Sequence, residues 1–184
     1  MIELIDKIKD VRSYIRNRFI TKSHAVITSL KKGSWHECEE LMLHSNFQIL
    51  VDYVEVQCAW MHITSDPGRQ HLKKYGYPTN SWSPVSWVRK MLWRNREAGI
   101  ARLRYESEVM DQNFSDQHTK GGDYAREQLE LYLWWTDIYP ARPDPYDLYE
   151  WSDYTKIGVL EKQYADEENE NLIRLIKIRN TMWT

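Results

Sequence analysis

The sequence predicts an all-α single domain, a bundle of four or five helices around one long central helix. Two stretches carry that reading. Residues 34–62 form the longest run free of Gly and Pro that is also rich in apolar side chains. Ser83-Pro84 then opens a second long run, with Ser as cap and Pro at the first helical position, where its missing N–H costs nothing.

The central helix, 34–62, begins with Ser34 followed three residues later by Glu37, the pattern of a capping box. At about 100° per residue, Glu37, Glu40, His44, Gln48, Asp52, Glu55 and His62 share one sector. Most other positions are apolar, which predicts a buried helix. A polar stripe on such a helix either faces solvent or finds partners inside the protein. Cys38 and Cys58 sit on this helix about 30 Å apart, too far for a disulfide, and read as free thiols buried in the core, suited to a reducing cytoplasm.

Before the central helix, residues 1–32 predict a basic helix with eight Lys/Arg and three acids, its apolar stripe running from Ile2 to Phe19. After it, residues 63–82 read as a long basic loop, because Asp66-Pro67-Gly68 and Gly76-Tyr77-Pro78 are turn chemistry. The helix over 84–111 carries Arg89, Arg94 and Arg96, which are placed to answer the acidic stripe. Gly121-Gly122 ends a loop before a helix over 123–138. Three prolines in residues 140–145 predict an extended strap over 139–157, near polyproline II. In it Tyr146, Tyr149 and Trp151 alternate with acids, either as a docking strip or as anchors to the domain. A last helix is expected over 159–182.

Net charge is −2, so nucleic acid is a lesser alternative to a protein partner. Residues 144–170 hold nine acids and two Lys, which predicts either an internal match to the basic N-terminal helix or a surface of one sign. The N-terminus lacks a signal peptide's pattern, and no run approaches the roughly 20 apolar residues of a membrane span.

Motifs for phosphate, dinucleotide, zinc and serine-nucleophile chemistry are missing, and so is Glu-x-x-His of bundle metal sites. Glu37-x-x-Glu40 and Asp52-x-x-Glu55 look like the magnesium pairs of all-α nucleotide pyrophosphohydrolases. Here both pairs lie on one helix, and Glu37 and Glu55 would be about 27 Å apart, so they cannot share an ion. No cofactor is expected. The candidate binding residues are Glu40, His44, Asp52, Glu55, Arg89, Arg94, Arg96, Tyr146, Tyr149 and Trp151.

Lys32-Gly33-Ser34-Trp35-His36-Glu37 and Leu43-His44-x-x-Phe47-x-x-Leu50-Val51-Asp52-Tyr53-Val54-Glu55 carry a resemblance, with Arg126-x-x-Leu129-x-Leu131-Tyr132-x-Trp134-Trp135 and Arg142-Pro143-Asp144-Pro145. Over about residues 30–155 the chain resembles a group of tailed-bacteriophage proteins to which no activity is assigned. The resemblance implies a phage origin. The expectation is a non-enzymatic binding protein acting on a host or defence factor in the host cytoplasm. The alternatives are a virion component, with homo-oligomers, and the magnesium enzyme.

Overall fold

The computed structural model describes residues 15, 27–31, 34–79, 83–113, 120–150 and 152–182, with the side chains of 110–113 excepted. The basic N-terminal helix expected over 1–32 falls almost wholly outside the described residues, and Trp151 is outside them too. Among the described residues the protein is all-helical, with no strand.

Helix α1 runs as Cys38–Asp52, continues through a π-helical segment Tyr53–Cys58, and ends with Ala59–Thr64. It starts three residues later than the capping box predicts. Glu37 holds the cap position in extended conformation without a side-chain cap bond. His36 is instead tied to the Lys31 carbonyl at 3.1 Å and to Glu40 at 2.9 Å. Cys38 is exposed rather than core, and only Cys58 is buried; both are free.

The expected loop over 63–82 contains a short helix, α2, Gln70–Lys74. Asp66 makes it, accepting from the amides of Gly68 and His71. The single helix expected over 84–111 is two: α3, Pro84–Leu92, and α4, Arg96–Asn113. Trp93 turns extended between them, and Asn95 caps α4 by accepting from the Ala98 amide at 2.8 Å. At the start of α3, the Ser83 side chain accepts from the Ser86 amide.

Helix α5 spans Lys120–Leu133, a π-helical segment Trp134–Ile138 and a 3-10 turn Tyr139–Ala141. Gly121 and Gly122 lie inside its first turn rather than before it. The strap over 139–157 is not one extended stretch. It holds that 3-10 turn, then α6, Pro145–Leu148, and the start of α7, Tyr154–Ile178, which closes in a 3-10 turn Arg179–Thr181. Pro140 and Pro145 occupy first-turn positions, where the ring fits, and Asp144 caps α6 through the Tyr146 amide.

The core lies where α1, α4, α5 and α7 meet. Phe47, Leu50 and Val54 of α1 pack with Leu103 of α4, with Leu131, Tyr132, Trp134 and Trp135 of α5, and with Leu175 and Ile178 of α7. Phe47 stacks on Trp135 at 4.6 Å, adding oriented ring contact to apolar burial. A smaller cluster, Ala59, Ile63, Tyr75 and Ala98, ties α2 and the end of α1 to α4. Arg174 of α7 holds Glu127 and Glu130 of α5. α1 is not buried all round: Leu41, Met42, Ile49 and Trp60 are exposed. No helix among the described residues is long and apolar enough to cross a membrane.

Candidate functional site

A six-residue polar chain runs across the bundle from α1. A π-helix turn carries one extra residue, so its carbonyls no longer all point at the regular helical partner. The Glu55 carbonyl accepts from the Asn95 amide at 2.9 Å, which fixes the start of α4 against the π segment. A Cβ added at Gly99 would stand 2.2 Å from the Val54 carbonyl oxygen, so the two helices meet there backbone to backbone.

The side chains follow the same seam. Arg94 donates from Nε to Glu55 at 2.9 Å and lies 2.6 Å from Asp52 through Nη1. The other Glu55 oxygen accepts from the Tyr132 hydroxyl at 2.9 Å. Gln48 donates to Asp52 at 3.1 Å, and its carbonyl oxygen accepts from the amide and hydroxyl of Thr28. Burial, then the Glu55 charge, raises the Tyr132 phenol above its ordinary range and keeps it a donor. The acids and Arg94 are half-buried, so each holds the other against partial loss of water.

One turn and more toward the N-terminus, His44 is buried on the same stripe. Ser29 meets its Nδ1 at 2.7 Å and Tyr139 its Nε2 at 3.3 Å, while Trp135 packs edge-on at 4.8 Å. Burial holds its pKa below the ordinary histidine value. Glu40 pairs with His36. Of the predicted arginines, Arg94 meets the acidic stripe. Arg96 pairs with Asp137 at 2.6 Å, and Arg89 is exposed. Tyr146 is exposed and Tyr149 half-buried, with Lys156 over its ring.

Chemically this arrangement is a clamp. The Arg94 guanidinium occupies the space between Asp52 and Glu55 that a magnesium ion would need. Among the described residues, no three His, Cys, Asp or Glu side chains come together as a metal site. The acids near the C-terminus find part of their answer locally. Arg142, its side chain only 10% exposed, pairs with Glu167 and Glu168 and lies over Trp134, Tyr139 and Tyr164. Burial pushes the Glu168 carboxyl upward while Arg142 pulls it back. That anchor was legible only as Arg142 between prolines.

A second candidate surface lies on α3, which is amphipathic the wrong way round for a bundle helix. Ser86 is its buried residue, whereas Val85, Trp87, Val88 and Leu92 are 60%, 59%, 45% and 52% exposed. At helical spacing Val85, Val88 and Leu92 form one outward stripe. No protein-family model, no curated protein and no solved structure matches the chain.

Proposed function

We propose that this is a non-enzymatic, phage-encoded protein that works by binding another protein, through the outward apolar stripe of α3. The stripe is the observation that carries the reading. Exposed apolar area has a cost in water that a bound partner removes, and contiguous exposed stripes mark interaction surfaces. The charged residues of the central helix support it in a different way. Asp52, Glu55 and Arg94 are engaged with one another, as an architectural clamp needs. The phage assignment rests on the phrases around residues 32–55, 126–135 and 142–145.

The partner is a host or defence factor met in the host cytoplasm, and the alternative is a neighbouring subunit in the virion. Mass spectrometry of purified parent phage particles separates the two. Loss of the chain during particle purification supports the host-directed reading, whereas stoichiometric presence overturns it in favour of a particle component.

A further inference from the structure

Beside α3 lies a pocket of about 390 Å³, within the size range of sites that bury a compact ligand group. Trp60 of α1, Tyr77 from the loop after α2, and Trp93 after α3 line it, with Val56 and Met61. Tyr77 touches both indoles, with ring centroids 5.2 Å from Trp60 and 5.2 Å from Trp93. Trp93 is fixed by its indole N–H, which donates to the Tyr75 carbonyl at 3.3 Å. Lys90 of α3 lines the same space.

The Tyr77 ring is inclined at 50° to Trp60 and at 81° to Trp93, and such walls suit a flat apolar group, which meets faces and edges together. Aromatic walls also attract cations. Here Lys90 opposes a cation, Arg89 is its exposed neighbour on α3, and the described lining includes no Asp or Glu. Charge complementarity therefore selects an aromatic group beside a negative charge. Lys90 lies on the side of α3 opposite the Val85, Val88 and Leu92 stripe, so the pocket is a contact of its own, and its mouth is open where Trp60 is 45% exposed. Interfaces concentrate their energy in such anchor pockets.

We propose that the pocket receives an aromatic side chain of the partner protein, with a flanking carboxylate of that partner on Lys90. This rests on the reading of the chain as one that binds another protein.

The test uses the ¹⁵N-labelled full chain and three peptides: acetyl-Glu-Phe-Glu-amide, acetyl-Glu-Ala-Glu-amide and acetyl-Lys-Phe-Lys-amide. Trp60→Phe and Trp93→Phe assign the indole N–H resonances. The first peptide shifts both resonances saturably. Acetyl-Glu-Ala-Glu-amide, which lacks the ring, gives no saturable shift, and acetyl-Lys-Phe-Lys-amide binds roughly fivefold more weakly, the scale of one half-exposed ion pair. Lys90→Glu, an exchange at the rim, inverts the order of the two Phe peptides. Absence of any shift, or equal shifts from all three, overturns the proposal. Val85→Ser/Val88→Ser leaves the peptide shifts in place. If that double variant keeps its protein partner while the peptide binds, the docking role of the stripe fails and the pocket's selectivity stands.

Discussion

Gly99 and Gly158 both sit inside helices, and only their surroundings distinguish them. At Gly99 a methyl group would meet the Val54 carbonyl at 2.2 Å, so Gly99→Ala must push α1 and α4 apart. Urea unfolding is expected to show a loss of about 2–3 kcal/mol, the upper range for overpacking. At Gly158 nothing lies within 4 Å of the added Cβ. Gly158→Ala is expected to gain about 0.5–1 kcal/mol by helix propensity. Sequence spacing does not separate these two glycines, because the difference lies in a chain segment more than forty residues away from one of them. His44 has a separate signature. Burial lowers its folded pKa below 6.5, so the unfolded chain binds more protons once the pH falls below that value. Stability therefore drops with pH from about 6.5 down to the folded pKa. His36, raised by the Lys31 carbonyl and Glu40, acts in the opposite sense, so the comparison is between wild type and His44→Gln. The acid-side loss should be smaller in the variant when stability is measured from pH 7 to pH 5.

At the scale of elements, the helices were legible and their interruptions were not. Periodicity over 34–62 and the Ser83-Pro84 start describe local chemistry, and local chemistry made those helices. The break at Trp93–Asn95 depends on a distant carbonyl, that of Glu55, turned outward by a π segment which no residue pattern announced. One local sign was present: Asn95 is a favoured cap residue within a run otherwise read as helix. Asn95→Ala removes the bond to the Ala98 amide and one to the Tyr75 carbonyl. Thermal unfolding should register about 1 kcal/mol of lost stability. Asn95→Asp, which keeps the capping oxygen but sets a second acceptor against the Tyr75 carbonyl, should recover only part of it. A full recovery by Asn95→Gly instead would assign the position to backbone conformation rather than to the cap. The strap misled for a related reason. Pro140 and Pro145 read as barriers, but both stand in first turns, where proline is compatible with helix.

For the whole molecule, the polar chain Thr28–Gln48–Asp52–Arg94–Glu55–Tyr132 and the aromatic nest of Arg142 hold four helices in register. Gln48, Asp52, Glu55, Arg94 and Arg142 were visible in the sequence as a polar stripe, scattered arginines and a proline-bounded Arg, whereas the parts of Thr28 and Tyr132 were not. Which arginine met which acid required the fold, since Arg96 went to Asp137 while Arg94 took Asp52 and Glu55. Among the described residues, α1 and α7 also expose apolar side chains, and α3 stands out because only Ser86 of its nine residues is buried. The Val85→Ser/Val88→Ser variant should unfold within about 0.5 kcal/mol of wild type, as expected for exposed positions. The most direct measurement is quantitative mass spectrometry of the tagged wild type and of that variant, each purified from infected cells. The account predicts one protein recovered near stoichiometry with the wild type, lost with the variant, and bound again when the two purified proteins are mixed. Recovery of the same protein in equal amount with both chains would contradict it.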